Sequence, residues 1–268
     1  DRRELVKLIG ELLSSVIDCY RELADEGQVE LAMSPYAHPI VPLLLDMESA
    51  REAMPHISMP QISSYPGGEE RARWHITEGI ATFEQYFAKR PTGCWPSEGG
   101  VSGPALGLLE EYGFSWAASG ESVFRHSQSH PDNTAVTDSS LYQGFHLAEG
   151  ELACFFRDDG LSDLIGFTYS DWHADDAVNN LIEHLENIAA STQGQDGRLV
   201  SIILDGENAW EHFPENGYYF LNTLYQRLAE PPDIRMTTYS EYLQNDHALP
   251  RINNLVAGGW VSPTLSTC

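Results

Sequence analysis

The chain reads as an α/β protein of barrel-like architecture, and three observations point there. Short apolar segments alternate with amphipathic helical ones, the pattern of a parallel sheet covered by helices. Runs such as Val200-Ser201-Ile202-Ile203-Leu204 are apolar almost throughout, as suits a strand buried on both faces. Polar, chemistry-bearing residues fall just after these strands, where barrels and open α/β sheets gather their sites. At 268 residues and 42% hydrophobic, the chain can bury one large core. No internal repeat or interdomain linker is evident.

The elements follow in order. Leu5, Leu8, Ile9, Leu12, Leu13, Val16, Ile17, Tyr20 and Leu23 keep helical spacing, and Gly27 is placed to end that helix. Residues 29–33 read as a short strand entering a loop, Ser34-Pro35-Tyr36-Ala37-His38-Pro39-Ile40. A second helix is expected over 69–89 with Trp74, Ile80, Phe83 and Phe87 inward, followed by a strand at 93–95. A helix at 106–112 and a strand at 114–118 repeat the pattern. The stretch 119–140, rich in Ser, His, Asn, Asp and Pro, is expected to be an irregular loop. Strands are predicted at 152–156, 199–204 and 234–238, and helices at 174–190 and 217–228.

Charge narrows the function. Forty acidic residues against 15 basic ones give a formal net charge of −25, and Lys7 and Lys89 are the only lysines. Such a field opposes nucleic acid and anionic membranes. It also matches the acidic, lysine-poor surfaces of salt-adapted proteins, although acidic helix faces serving ordinary solubility would give the same count. No run of about 18 apolar residues could span a membrane. Cys19, Cys94, Cys154 and Cys268 are far apart, without Cys-x-x-Cys pairing, and read as buried free thiols. The missing export signal points to the cytoplasm, and the missing initiator methionine to a processed or partial chain.

Two acidic segments stand out, each beside a tryptophan: Cys94-Trp95-Pro96-Ser97-Glu98 and Leu204-Asp205-Gly206-Glu207-Asn208-Ala209-Trp210. Two carboxyl groups brought together from distant positions are the minimum equipment for breaking a glycosidic bond. Each residue also has a plainer reading. Glu98 alone could be a solvated acid at a helix start, and Asp205 a helix N-cap. Trp95 and Trp210 could be core aromatics, and His38 could serve its own loop. Glu30 lies within a strand, where an acid needs a partner, so a cleft role competes with a buried salt bridge. Arg157, Asp158, Asp159 and Asp163 suit an ion-pair network. His126 and His130 have i, i+4 spacing, but their surroundings favour a loop over a metal site.

The motifs resemble those of family 57 glycoside hydrolases, the group of α-amylases, amylopullulanases, branching enzymes and 4-α-glucanotransferases. The matching pieces are Gly27-Gln28-Val29-Glu30-Leu31 with the loop through His38, Cys94 to Ser102, Phe156-Arg157-Asp158-Asp159-Gly160-Leu161-Ser162-Asp163-Leu164-Ile165-Gly166-Phe167, and Ile203 to Glu211. Thr238-Tyr239-Ser240-Glu241-Tyr242-Leu243 completes the series, in the family's order and over nearly the whole chain. The resemblance implies a distorted seven-stranded (β/α) barrel acting on α-linked glucans by a retaining mechanism without a metal or other cofactor. It assigns Glu98 as nucleophile and Asp205 as general acid/base, with Glu30, His38, Trp95, Glu207 and Trp210 in or beside the substrate cleft.

Two departures shape the expectation further. The family's opening His-Gln-Pro segment has no counterpart, and Gly258-Gly259-Trp260-Val261-Ser262-Pro263 resembles the start of a C-terminal segment. Residues 1–245 are therefore expected to form a partial barrel lacking its first strand, and 246–268 to begin the next part. The competing readings are a barrel that binds glucan without cutting it and a metal-dependent deacetylase or mannosidase. Linkage preference, hydrolysis against transfer, and oligomeric state are open from sequence.

Overall fold

A computed structural model of the chain describes residues 1–133, 136–206, 210–229, 234–245, 247–260 and 265. Helix α1 (Arg2–Asp25) is capped by Asp1, whose side chain accepts from Arg3 N while Glu4 reaches back to the terminal amine. Short helices α2 (Val41–Leu45) and α3 (Ala50–Ala53) precede α4 (Gly68–Phe87). Strand β1 (Gly93–Cys94), α5 (Gly103–Glu111), β2 (Trp116–Ser119), α6 (Glu121–Gln128), β3 (Phe145–Leu147) and β4 (Ala153–Phe156) follow. The rest comprises α7 (Asp159–Asp163), α8 (Ala174–Ser191), α9 (Tyr218–Leu228), α10 (Tyr239–Gln244) and β5 (Arg251–Ile252).

The five strands form one mixed sheet in the order β1-β2-β4-β3-β5. β1, β2 and β4 run parallel, with Gly93 opposite Trp116 and Trp116 opposite Ala153. β3 is antiparallel to β4 and parallel to β5. A parallel bridge from Met33 to Cys94 extends the sheet beyond β1. At the other side of β4, Asp158 N donates to Ser201 O at 2.8 Å, so the 199–204 segment adjoins that strand's end.

Alternation along the strands divides the core. Cys94, Ala117, Cys154 and Phe156 pack with Ile76, Ile80, Phe83, Leu106 and Phe124 from the covering helices. Trp116, Ala118, Ala153 and Phe155 point the other way, onto Tyr239 and Tyr242. A third cluster joins Leu161, Ile165, Tyr169, Val178, Leu181, Phe213, Phe220 and Leu224 around α8 and α9. Each fully buried Val, Leu, Ile or Phe among them contributes about 1.5–3 kcal/mol on leaving water.

The structure corrects several expectations. Residues 119–140 are not an irregular loop throughout, because α6 forms there. Its one apolar turn, Val123 and Phe124, enters the core, and Arg125 pairs with Glu121 one turn back at 2.8 Å. Residues 199–204 and 234–238 form no strand ladder. The first is nevertheless half-buried on two sides, with Leu199 and Ile203 against one cluster and Val200 and Leu204 against another, while Ile202 is exposed. Trp74 points outward at 52% exposure, since its indole packs edge-on to Tyr36 and His75 at the surface. Cys19 is exposed while Cys94 and Cys154 are buried; Cys268 lies outside the described residues. α1 buries no residue, and Leu5, Val6, Leu8, Ile9, Leu12, Leu13, Val16 and Tyr20 all face out. No helix of the described residues is long and apolar enough to cross a membrane.

Candidate active site

The site lies at the C-terminal ends of the parallel strands. After β1 the chain passes Trp95 and Pro96 into a tight turn, Ser97–Gly99, in which Glu98 has left-handed backbone angles (φ 56°, ψ 25°). For a residue with a side chain this conformation costs on the order of 1 kcal/mol or more, and it persists only where the surroundings impose it. Gly99 N donates to Pro96 O at 2.8 Å and Gly100 N to Ser97 O at 2.9 Å. The Ser119 hydroxyl, at the end of β2, donates to Gly99 O at 2.6 Å. The backbone N–H of Trp260 donates to Glu98 O at 2.9 Å.

The Glu98 carboxyl is presented between two donors. Oε1 lies 3.0 Å from His38 Nε2, and Oε2 accepts from the Trp260 indole Nε1 at 3.1 Å. With its proton on Nε2 the imidazole donates to the carboxylate. His38 follows Ala37 in a second left-handed pair (φ 57° and 59°), so both partners of this contact sit on constrained backbone. The His38 hydrogen bond pulls the Glu98 carboxyl below its ordinary range; burial opposes this and the Trp260 donor adds to it. The side chain stays 34% exposed, so an ionised oxygen remains within reach of a ligand.

Trp260 is the residue that sequence reasoning did not place here. Its indole meets Trp95 edge to face at 5.1 Å between centroids, and the Arg157 guanidinium carbon lies 4.8 Å from the ring centre. A side chain at Gly120 would put Cβ 2.7 Å from Trp260 Cα, so glycine permits this close approach. The Gly258-Gly259-Trp260 sequence was visible as a motif, but its return to the Glu98 turn depends on a long-range bridge between Val101 and Gly258.

Arg157 forms the ion-pair network expected of its segment. Nε donates to Asp159 at 2.5 Å, one terminal nitrogen to Asp163 at 2.9 Å and the other to Ile203 O at 3.2 Å. Burial pushes the Asp159 carboxyl up against the downward pull of Arg157. Asp158 caps α7 through Leu161 N and accepts from the Tyr142 hydroxyl. Asp205 is exposed at the end of the segment that carries Ile203. Glu207 lies outside the described residues.

The other predicted residues are placed as follows. Glu30 has both oxygens occupied: Oε1 accepts from Thr92 at 3.0 Å, Trp116 at 2.8 Å and the Ser240 hydroxyl, and Oε2 from Ser240 N at 3.0 Å. Its partners are neutral donors, in place of the salt bridge considered from sequence. Trp210 is half-buried and packs on Phe213 and Phe220, with centroids 5.5 and 6.2 Å away. His126 lies on α6 and His130 beyond its end, with His130 Nδ1 3.5 Å from Asp132. Among the described residues no group of three or more His, Cys, Asp or Glu side chains converges as a metal site.

The turn bearing Glu98 and the Arg157 segment fall within a longer correspondence. A family model for glycosyl hydrolase family 57 matches residues 5–254. The chain belongs to glycosyl hydrolase family 57. This family 57 chain is similar in structure to the α-amylase of Thermotoga maritima, with TM-score 0.71 and 13% identity, over 96% of this chain and 56% of that one. It is similar to the branching enzyme of Thermococcus kodakaraensis, with TM-score 0.66 and 17% identity, over 96% and 54% of the two chains. A third likeness is the 4-α-glucanotransferase of Thermococcus litoralis, with TM-score 0.68 and 18% identity, over 96% and 35%. No curated protein matches the chain in sequence. The chain spans about half the length of the first two relatives, and the likenesses show that it shares their α/β barrel fold.

Proposed function

We propose that this chain carries the catalytic centre of a retaining glycoside hydrolase or transglycosylase acting on α-linked glucans. The observation that carries the reading is the Glu98 carboxylate, held ionised between His38 and Trp260 on a left-handed turn at the strand ends and left partly open. A nucleophile needs that state, whereas its partner must hold a proton. Glu98 attacks the anomeric carbon, the glycosidic C–O bond breaks, and the Asp205 proton passes to the leaving oxygen. Water then attacks the same carbon and gives a proton to Asp205, and the Glu98–sugar bond breaks. A second sugar hydroxyl in place of water makes the reaction a transfer. In this reading His38, Trp95, Trp210 and Glu207 serve substrate binding, and Glu30 acts as a brace through Ser240 and Trp116. The relatives' names, an α-amylase, a branching enzyme and a glucanotransferase, support the substrate class.

The test uses maltooligosaccharides, product chromatography and calorimetry. Glu98→Gln should abolish turnover, and Asp205→Asn should lower it by about 10²–10⁴-fold, the usual scale for a lost proton donor. Unchanged cleavage in Glu98→Gln would sink the reading. Binding without products in the unmodified chain would favour a glucan-binding barrel instead, and turnover that requires stoichiometric metal would favour a metal-dependent deacetylase or mannosidase.

A further inference from the structure

One guanidinium touches both halves of the site. The Arg157 side chain is only 10% exposed and uses its fork on three groups: Asp159 and Asp163 of α7, and the carbonyl of Ile203. Its face lies against the Trp260 indole. Trp260 in turn grips Glu98 twice, through its backbone N–H on the Glu98 carbonyl and its indole N–H on Oε2. Ile203 stands two residues before Asp205. A continuous path therefore runs from the Glu98 carboxylate through Trp260 and Arg157 to the segment that bears Asp205.

We infer that Arg157 and Trp260 are positioning residues that set the Glu98 carboxylate and the Asp205 segment relative to each other. The inference rests on the assignment of those two carboxyls as the catalytic pair. An arginine serving α7 alone would be satisfied by Asp159 and Asp163, which already balance its charge. Its remaining contacts go to Trp260 and to Ile203. The Ile203 contact matters because 199–204 has no strand ladder to fix it. Its other anchors include Leu199 N on Tyr142 O at 2.9 Å, Asp158 N on Ser201 O, and the Ser162 hydroxyl, which accepts from Ile203 N at 3.3 Å. Lysine could keep the charge but has neither the planar face nor the fixed fork. Double displacement needs the two carboxyls roughly 5–5.5 Å apart, and a displacement near 1 Å costs on the order of 10²-fold in rate.

The test compares Arg157→Lys and Trp260→Phe with the unmodified chain and with Glu98→Gln. Thermal melts first confirm that each variant folds. Arg157→Lys should lower kcat by about 10- to 100-fold with KM within about twofold, because positioning acts on the transition state. Trp260→Phe keeps the ring but loses the donor that favours ionised Glu98. Around that carboxyl, among the described residues, lie the titratable His38 on the 34–40 loop and, behind the indole, Arg157 with Asp159 and Asp163. With His38 and Arg157 retained, the acid limb of kcat/KM should move to higher pH. A second readout needs no turnover: the Trp260 indole ¹⁵N–H resonance should titrate with Glu98 in the unmodified chain, shift in Arg157→Lys and stop titrating in Glu98→Gln. Folded Arg157→Lys and Trp260→Phe with normal kcat and an unmoved acid limb would overturn the inference, as would an indole resonance indifferent to Glu98. Full activity in Glu98→Gln would instead remove the catalytic assignment beneath it.

Discussion

Glu98 and His38 each occupy left-handed backbone, and they meet at 3.0 Å. Two residues in sparsely populated backbone meet in one contact, and the surrounding turn bonds supply the restraint. Glu30 shows the opposite use of a carboxylate. Burial raises its pKa, and the donors from Ser240, Trp116 and Thr92 outweigh burial, so it lies below its ordinary value of 4.5. A carboxyl whose folded pKa is depressed contributes stability above its unfolded pKa and loses it as pH falls through the folded one. Glu30→Gln should therefore destabilise the chain by about 1–3 kcal/mol at neutral pH, through mismatched donors left around an amide. The difference from the unmodified chain should shrink in acid. Urea melts of both proteins across that pH range check the sign, and a gap that is constant with pH would count against the Glu30 account.

Among the elements, β1 and β2 approach closely because Gly93 has no side chain. A Cβ there would lie 1.9 Å from Trp116 Cε2, inside the indole whose N–H serves Glu30. Gly93→Ala should cost at least about 1–3 kcal/mol in denaturant midpoint, the range for overpacking; an unchanged midpoint would mean that the sheet opens freely there. The same elements mark how far the chain was legible before its structure. α1, α4, α8 and α9 were readable because long helical periodicity depends only on neighbours along the chain. β5 is two residues long and owes its existence to β3, more than 100 residues away, where Arg251 lies opposite His146. The 199–204 run is apolar enough for a strand, yet packing against two clusters does not require a ladder. At the candidate site, Glu98 and Asp205 stood out in the sequence as candidates through their motifs. Trp260 was not placed there, since nothing local in Gly258-Gly259-Trp260 tells which turn it will meet.

Across the whole molecule, the −25 charge is the largest unlocalised force. Surface pairs such as Arg73 with Glu111 at 2.7 Å and Lys89 with Asp25 at 2.5 Å relieve it only locally. The remaining acids repel one another over distances that salt shortens to roughly 8–10 Å. The melting temperature should consequently rise between low and moderate sodium chloride, and calorimetry at several ionic strengths measures it. A melting temperature that falls with salt would mean that ion pairs, not repulsion, dominate. Helix α1 turns this into a trade-off. Its row of outward Leu, Ile and Val side chains is attached to the body through polar contacts such as Arg21 on Tyr86 O at 2.6 Å. In dilute buffer, mutual repulsion keeps these oily surfaces on separate molecules from meeting. The salt that steadies each folded copy also lowers that barrier, so crowding of copies, more than heat, becomes the practical ceiling on handling this protein in brine.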